Sequence, residues 1–160
     1  MSTDFYKSFI LPNAGIIIKI CRAYTDSQED FEDFYQEACL QIWKSRTTFQ
    51  DKSKWSTWVY RVTLNVCLTL AKKNHKKRDS VPISNQRYEP NKAFENEDLN
   101  LLYAAIKQLS DLDRAIILLY LEENPNKEIA LIIGTSANNI AVRINRIKKQ
   151  LKTLLDGKIN

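Results

Sequence analysis

Asn138, Val142, Asn145, Arg146 and Lys149 fall on one side of a helical repeat in the stretch KEIALIIGTSANNIAVRINRIKKQL, Lys127 to Leu151. Asn and Arg side chains offered together from a helix are the groups that hydrogen-bond base edges in the major groove of DNA. On the opposite side Ile140, Ile144, Ile147, Leu151 and Leu154 recur at helical spacing, a stripe that must be buried. Upstream, Ile129, Ala130 and Ile133 give a shorter helix one apolar face. Gly134 can take the left-handed conformation that ends it, and the Ser136 hydroxyl can cap the next helix. Two helices joined by a Gly-containing turn, the second basic and polar outward, have the layout of a DNA-reading helix-turn-helix. A surface helical hairpin is the alternative that this stretch alone leaves open.

Two other clusters could do chemistry. KKNHKKR, Lys72 to Arg78, has five basic residues in seven and follows a segment rich in aromatics. Lysines for phosphates beside aromatic rings for bases make a platform for single-stranded nucleic acid; a solvated charge run is the plainer reading. Trp58 is expected in the core, whereas Trp55, at a loop edge, could be core or could stack on a base. His75 has no partner at ligand spacing, so no metal site is expected. From Asp26 to Glu37 there are six acids and no base. With no His or Cys partner, no Gly-rich phosphate loop and no nucleophile–base pair, this cluster reads as helix-surface carboxylate and not as an enzyme's acid–base or metal centre. Asp33, Gln36, Leu40 and Trp43 share one side of that helix. Leu and Trp beside a carboxylate fit either a covering helix or a docking face for another protein.

The elements that must position these groups are helices. The chain has 160 residues, 44% of them hydrophobic, with a net charge of +5, three glycines and four prolines. No alternating strand pattern is present. The fold expected is all-α, two small helical lobes joined by a linker, with the helix-turn-helix in the C-terminal lobe. The charge is uneven: Ser136 to Asn160 holds six basic residues against one acid, which suits an acidic partner. Cys21, Cys39 and Cys67 lack paired spacing and sit in apolar contexts, as reduced, packed thiols. No signal-peptide pattern and no membrane-length apolar run are seen, so a cytoplasmic protein is expected.

Along the chain, Asp4 to Leu11 predicts a short helix, and Pro12 should open a second, to about Tyr24. Ser27 should cap a third, Gln28 to Ser45, with Phe31, Phe34, Tyr35, Ala38 and Ile42 inward. After a loop from Phe49 to Lys54, a fourth runs from about Ser56 to Lys73, its stripe Trp55, Trp58, Val59, Val62 and Val66, with Leu64 and Leu68 on another side, so that burial on more than one face is expected. Asp79 to about Asn96 reads as linker. Helices from Asp98 to Leu109 and, capped by Ser110, from Asp111 to about Glu122 follow. Asn124 should cap, and Pro125 open, the first helix of the helix-turn-helix.

Three segments together resemble one family. DFYQEACLQIW (Asp33 to Trp43) resembles the D-L-x-Q-E-x-F-x-x-x-W helix of bacterial RNA polymerase sigma factors. WSTWVYRVTLN (Trp55 to Asn65) resembles their F-S-T-W-L-Y-R-I-x-x-N segment, and Lys127 to Leu151 resembles the E-I-A-x-x-L-G-x-S-x-x-x-V-x-x-R-x-x-R-A-x-x-x-L motif of their C-terminal domain. Order, linker and length are similar to the extracytoplasmic-function (ECF) group of the sigma-70 family. The resemblance implies a domain at 1–78 that docks core polymerase and recognises the −10 element, a linker at 79–97, and a −35-recognising domain at 98–160. Asp33, Gln36, Glu37, Leu40 and Trp43 would dock on the β′ clamp helices. Lys52, Lys54, Trp55, Arg61, Asn65, Lys72 and Lys73 would handle the −10 DNA. Ser136, Asn138, Asn139, Val142, Arg143 and Arg146 would read the −35 element. The Ile116–Leu121 region would meet the β flap. Promoter DNA, core RNA polymerase and an anti-sigma factor are the implied partners, with no cofactor, no metal, no small-molecule substrate and no catalytic activity. Trp55 stands where Phe is common, Thr135 where an apolar residue is usual, and Ala141 and Val142 are less polar than the family norm. Arg143 could touch DNA or pair with Glu128.

A free-standing regulator with a LuxR-like output domain would account for the C-terminal motif but not for Asp33 to Asn65. A purely protein-binding helical adaptor would leave the basic C-terminal tail without a role.

Overall fold

The computed structural model describes residues 2–51, 53–80 and 96–158, with the backbone alone at 77–80. All regular structure among them is helical, and no helix is long and apolar enough to cross a membrane. The chain divides into two compact units, Met1–Asn91 and Lys92–Asn160. Most of the expected linker, 81–95, lies outside the described residues; Asp79 and Ser80 belong to the preceding helix.

Unit 1 begins irregularly. Helix α1, Thr3–Phe5, is capped by the Ser2 hydroxyl, which accepts from the Phe5 amide at 3.3 Å. The chain then widens into a π-turn, Tyr6–Ile10, and tightens into a 3₁₀ turn, Leu11–Asn13. Pro12 explains the break: it has no N–H to donate, and its ring crowds the carbonyl four residues back. The next helix, α2, therefore starts at Ala14 and not at Pro12, and runs to Ala23. Helix α3 spans Gln28–Ser45, and the Ser27 hydroxyl accepts from the Asp30 amide at 3.1 Å. Phe31, Phe34, Ala38, Cys39 and Ile42 are buried. Tyr35 sits at the edge of this stripe, its hydroxyl 2.9 Å from that of Tyr6, and so pins the N-terminal segment.

Helix α4, Trp55–Ser80, is longer than expected and its buried side lies elsewhere. Val59, Tyr60, Thr63, Leu64, Val66, Cys67 and Ala71 are buried, while Trp55, Trp58 and Val62 are only partly so. The reason is that α2 and α3 both pack on α4, and two partners widen the buried side beyond a single stripe. Thr63 can lie inside because its hydroxyl donates to the Val59 carbonyl at 2.8 Å. Ile17 and Ile20 of α2, Ile42 of α3 and Val59 of α4 are fully enclosed, each contributing about 1.5–3 kcal/mol of transfer free energy.

The three cysteines, one on each of α2, α3 and α4, are all buried free thiols. Cys21 and Cys67 sulfurs lie 3.9 Å apart, in contact but not bonded. Burial pushes the Cys39 thiol up to about 11, and the hydrogen bond to Cys21, with burial, raises Cys67. Since the thiolate is the reactive form, the native protein at pH 8 should leave all three unmodified by a thiol reagent and release them only in denaturant. Rapid labelling of any one in the native state would contradict this packing.

The described residues of unit 2 form four helices: α5 Glu97–Ile106, α6 Asp111–Leu121, α7 Asn126–Ile133 and α8 Ala137–Leu155. α5, α6 and α7 all pack on α8. Its core is Ile106, Ile116, Leu119, Ile129, Ile140 and Ile147, each fully buried. α5 ends earlier than expected, and Lys107–Leu109 turn the chain into α6. The Ser110 hydroxyl accepts from the Asp113 amide at 3.2 Å, the cap expected for α6. Asn124 does something different from its expected role. Its side-chain amide donates to the Leu119 carbonyl at 2.8 Å, closing the end of α6, and Pro125 holds the extended position before α7 without a side-chain cap.

Candidate nucleic-acid and protein interfaces

The turn between α7 and α8 is built from three residues. Gly134 ends α7 at φ 90°, and nothing lies near where a Cβ would stand, so the demand for glycine here is one of backbone angle, not space. The Gly134 and Thr135 amides both donate to the Ala130 carbonyl, at 2.8 and 3.0 Å. The Ser136 hydroxyl then accepts from the Asn139 amide at 3.1 Å, starting α8. Thr135, unusual for an apolar site, uses its hydroxyl to accept from the Asn139 side-chain amide at 2.8 Å. Asn139 is therefore engaged within the turn.

Beyond the turn, Asn138, Val142, Asn145, Arg146 and Lys149 are all exposed, Val142 at 59%. Arg143 lies apart from them. Its guanidinium is 3.5 Å from the Asp113 carboxylate at the start of α6, with both side chains mostly covered. The sequence left Arg143 between touching DNA and pairing with Glu128; the ion pair it makes is with Asp113. The pair ties α8 to α6. Arg143→Ala and Asp113→Ala should each lower the stability of unit 2 by about 1 kcal/mol or less, and a double-mutant cycle should show the two losses to be coupled. Simple additivity would remove the structural role. Further along α8, the Lys148 ammonium sits 4.3 Å from the centre of the Tyr120 ring.

In unit 1 the aromatic side chains gather where the N-terminal segment meets the start of α4. Trp55 stacks on Trp58 at 4.9 Å and meets Phe49, Phe9 and Phe5 edge-on at 5.1, 5.6 and 6.2 Å. Its indole N–H donates to the Phe9 carbonyl at 2.8 Å. Trp58 likewise belongs to this half-covered cluster and not to the deep core. The Trp55 ring is thus committed to holding the end of α4 against the N-terminal segment. Lys54, Arg61, Asn65, Lys72, Lys73 and His75 are exposed; Lys52 lies outside the described residues.

Along α3, Asp33, Gln36 and Glu37 are exposed and Leu40 stands at 36% exposure. Trp43 does not stand free with them. Phe5 meets it edge-on at 5.1 Å, and the Arg46 guanidinium lies 3.6 Å from its ring centre. The groove between α3 and α4 holds two hollows that share Glu37 and Leu70. One, about 390 Å³, has Asp33, Gln36 and Leu40 on its α3 side and Leu70 and Asn74 on its α4 side. The other, about 300 Å³, joins Glu37 and Gln41 to Asn65, Thr69 and Lys73. Asn65 and Lys73, expected on a DNA face, therefore adjoin the face expected to bind protein. Leu70 was missed in the sequence, although it continues the Val59, Thr63, Val66 spacing.

A family model described as sigma-70 region 2 matches residues 9–77, and a second, sigma-70 region 4, matches residues 99–151. Between them they take in most of the chain. The chain belongs to the sigma-70 family. Its relatives place it in the ECF group. The ECF sigma factor SigG of Mycobacterium tuberculosis is 29% identical over 84% of this chain, and SigW of Bacillus subtilis 26% identical over 86%. The chain spans 44% of the length of SigG and 84% of SigW. Two solved structures share its fold. The sigma factor RpoE of Bartonella quintana, crystallised with the anti-sigma factor NepR, gives a TM-score of 0.74 at 20% identity, covering 99% of this chain and 100% of that one. CnrH, solved with the cytosolic domain of CnrY, gives 0.70 at 17% identity, covering 99% and 92%.

Within this sigma-70 chain, region 2 holds the α3 face and the aromatic cluster, and region 4 holds the helix-turn-helix. The stretch expected at the β flap is mostly interior. Ile116, Ile117, Leu118 and Leu119 are buried, and of this stretch the half-covered Tyr120 and Leu121, 46% exposed, reach the surface. An unbroken apolar run has no periodicity to separate inside from outside, so the sequence leaves this helix either enclosed or docking a partner; the four buried residues are enclosed.

Proposed function

We propose that this sigma-70 chain is a promoter-specificity subunit with no catalytic activity of its own. It binds bacterial core RNA polymerase, reads −35 duplex DNA with α8, and stabilises the opened −10 strand against unit 1. The observation that carries this reading is the pairing, in one chain, of an exposed acidic and apolar α3 face with a helix-turn-helix whose outward side chains are Asn138, Val142 and Arg146. A free-standing DNA-binding regulator has no use for the first. The β′ clamp helices would seat on Asp33, Gln36, Glu37 and Leu40, with Trp43 acting from beneath. Lys54, Arg61, Asn65, Lys72 and Lys73 would face the −10 DNA, and Lys52 completes that set by family resemblance. Trp55 would set the shape of that surface. Ser136, Asn138, Val142 and Arg146 would meet the −35 element, Asn139 and Arg143 serving as internal braces. An anti-sigma factor would be a further partner, as the complex of RpoE with the anti-sigma factor NepR suggests by likeness. The protein would work in the cytoplasm, where core polymerase is, and needs no cofactor, metal or small-molecule substrate.

Two variants test the two halves. Asp33→Ala with Gln36→Ala should weaken capture of core polymerase while leaving the tryptophan fluorescence of unit 1 native. Undiminished capture would remove the docking assignment. Arg146→Ala, in the polymerase-bound protein, should weaken binding to the matched −35 duplex by about 1–3 kcal/mol; equal affinity would show that Arg146 makes no base contact.

A further inference from the structure

Helix α8 is 19 residues long, about 28 Å at 1.5 Å per residue, and its exposed face outruns the part given a role above. Asn138, Val142, Asn145, Lys149 and Lys152 succeed one another at three- and four-residue steps and all are exposed. On a 3.6-residue repeat they form one stripe. Apart from Arg146, already placed on base edges, the cations of α8 divide into two sets. Arg143 is held by Asp113, and Lys148 lies over Tyr120, so both are turned toward α6. Lys149 and Lys152 enter no ion pair among the described residues. The one acid of the tail, Asp156, follows Lys152 by a turn.

We propose that Lys149 and Lys152 form a phosphate-binding rail that continues the recognition face of α8 along the DNA backbone. The proposal deepens the −35 reading and rests on it. Lys149 is eleven residues past Asn138, about 16 Å along the axis, more than the roughly 12 Å width of the major groove. With the N-terminal turns of α8 on base edges, the lysines stand at the groove wall, where the phosphates are. A flexible stem ending in a compact charge suits a phosphate oxygen and is poor at telling bases apart. The rail thus supplies affinity without sequence preference, which a short recognition face with an apolar Val142 at its centre would otherwise lack.

Salt dependence tests this, because each phosphate neutralised releases counterions and steepens the fall of log affinity with log salt. The full-length chain assembled with core polymerase is titrated with matched and scrambled −35 duplexes between low and moderate salt. K149A/K152A should make the slope shallower by about 2, with the same fold-loss on both duplexes, and K149R/K152R should restore it. An unchanged slope in K149A/K152A, while the wild-type complex binds duplex normally, overturns the rail alone. So does a loss confined to the matched duplex. Absence of salt-dependent duplex binding by the wild-type complex overturns the −35 reading itself.

Discussion

Replacing Trp55 with alanine should cost unit 1 about 3 kcal/mol, the lower end for removal of a large aromatic side chain because Trp55 is only partly buried. Four aromatic neighbours lie within 4.9–6.2 Å of its ring, and such pairs add about 0.5–1.5 kcal/mol beyond area burial. The indole N–H also holds the Phe9 carbonyl at 2.8 Å. Its loss frees the N-terminal segment, which then holds only through contacts such as Tyr6–Tyr35. Trp55→Phe keeps a ring and loses the hydrogen bond, so it should cost about 0.5–1.5 kcal/mol. All three tryptophans of the chain, Trp43, Trp55 and Trp58, lie in unit 1, so urea unfolding followed by tryptophan fluorescence measures this directly. A Trp55→Ala protein of native stability that fails to hold a single-stranded −10 oligonucleotide would make Trp55 a base-stacking residue instead.

Ile147→Ala should be the most damaging single change in unit 2, by about 2–5 kcal/mol. Ile147 is fully enclosed, midway along the buried stripe Ile140, Ile144, Ile147 and Leu151, on the helix against which α5, α6 and α7 all pack. A cavity there cannot close by moving one neighbour, since three helices would have to shift together. In a unit of this size such a loss is a large part of the total stability. The helical far-UV signal should fall at lower temperature or urea than in the wild type. Duplex binding should be lost although no outward side chain has changed. Wild-type stability would mean that α8 is held by its ends and not by this stripe.

These two residues show what local sequence carries and what it omits. Ile147 was legible because an amphipathic helix writes its buried side into a 3.6-residue period, and one packed surface leaves no ambiguity. The capping serines 27, 110 and 136 were legible for a related reason: each cap is a bond across three residues. Trp55 was not, because its fixing partner Phe9 is 46 residues away, and no periodicity reports a contact of that separation. The shifted buried side of α4 has the same origin, since α2 and α3 share it. Asp113 as the partner of Arg143 was not legible, because 30 residues separate the two and only the packing of α6 on α8 brings them together. The Pro12 break was visible in sequence, but the π-turn ahead of it was not, as nothing in Tyr6–Ile10 forbids an ordinary helix. The exposure of Asp33, Gln36, Asn138 and Arg146 followed from the same periodicity that gave the core.

Transcription in vitro is the most direct test that this chain directs core polymerase to promoters. Bacterial core RNA polymerase and a genomic DNA library are incubated with and without the protein, and transcript starts are mapped. A set of starts should be found only when both protein and core are present, sharing one −35 and one −10 element at fixed spacing and reduced by Asp33→Ala with Gln36→Ala. Starts unchanged by the protein, or DNA sites bound with full specificity in the absence of polymerase, would contradict it.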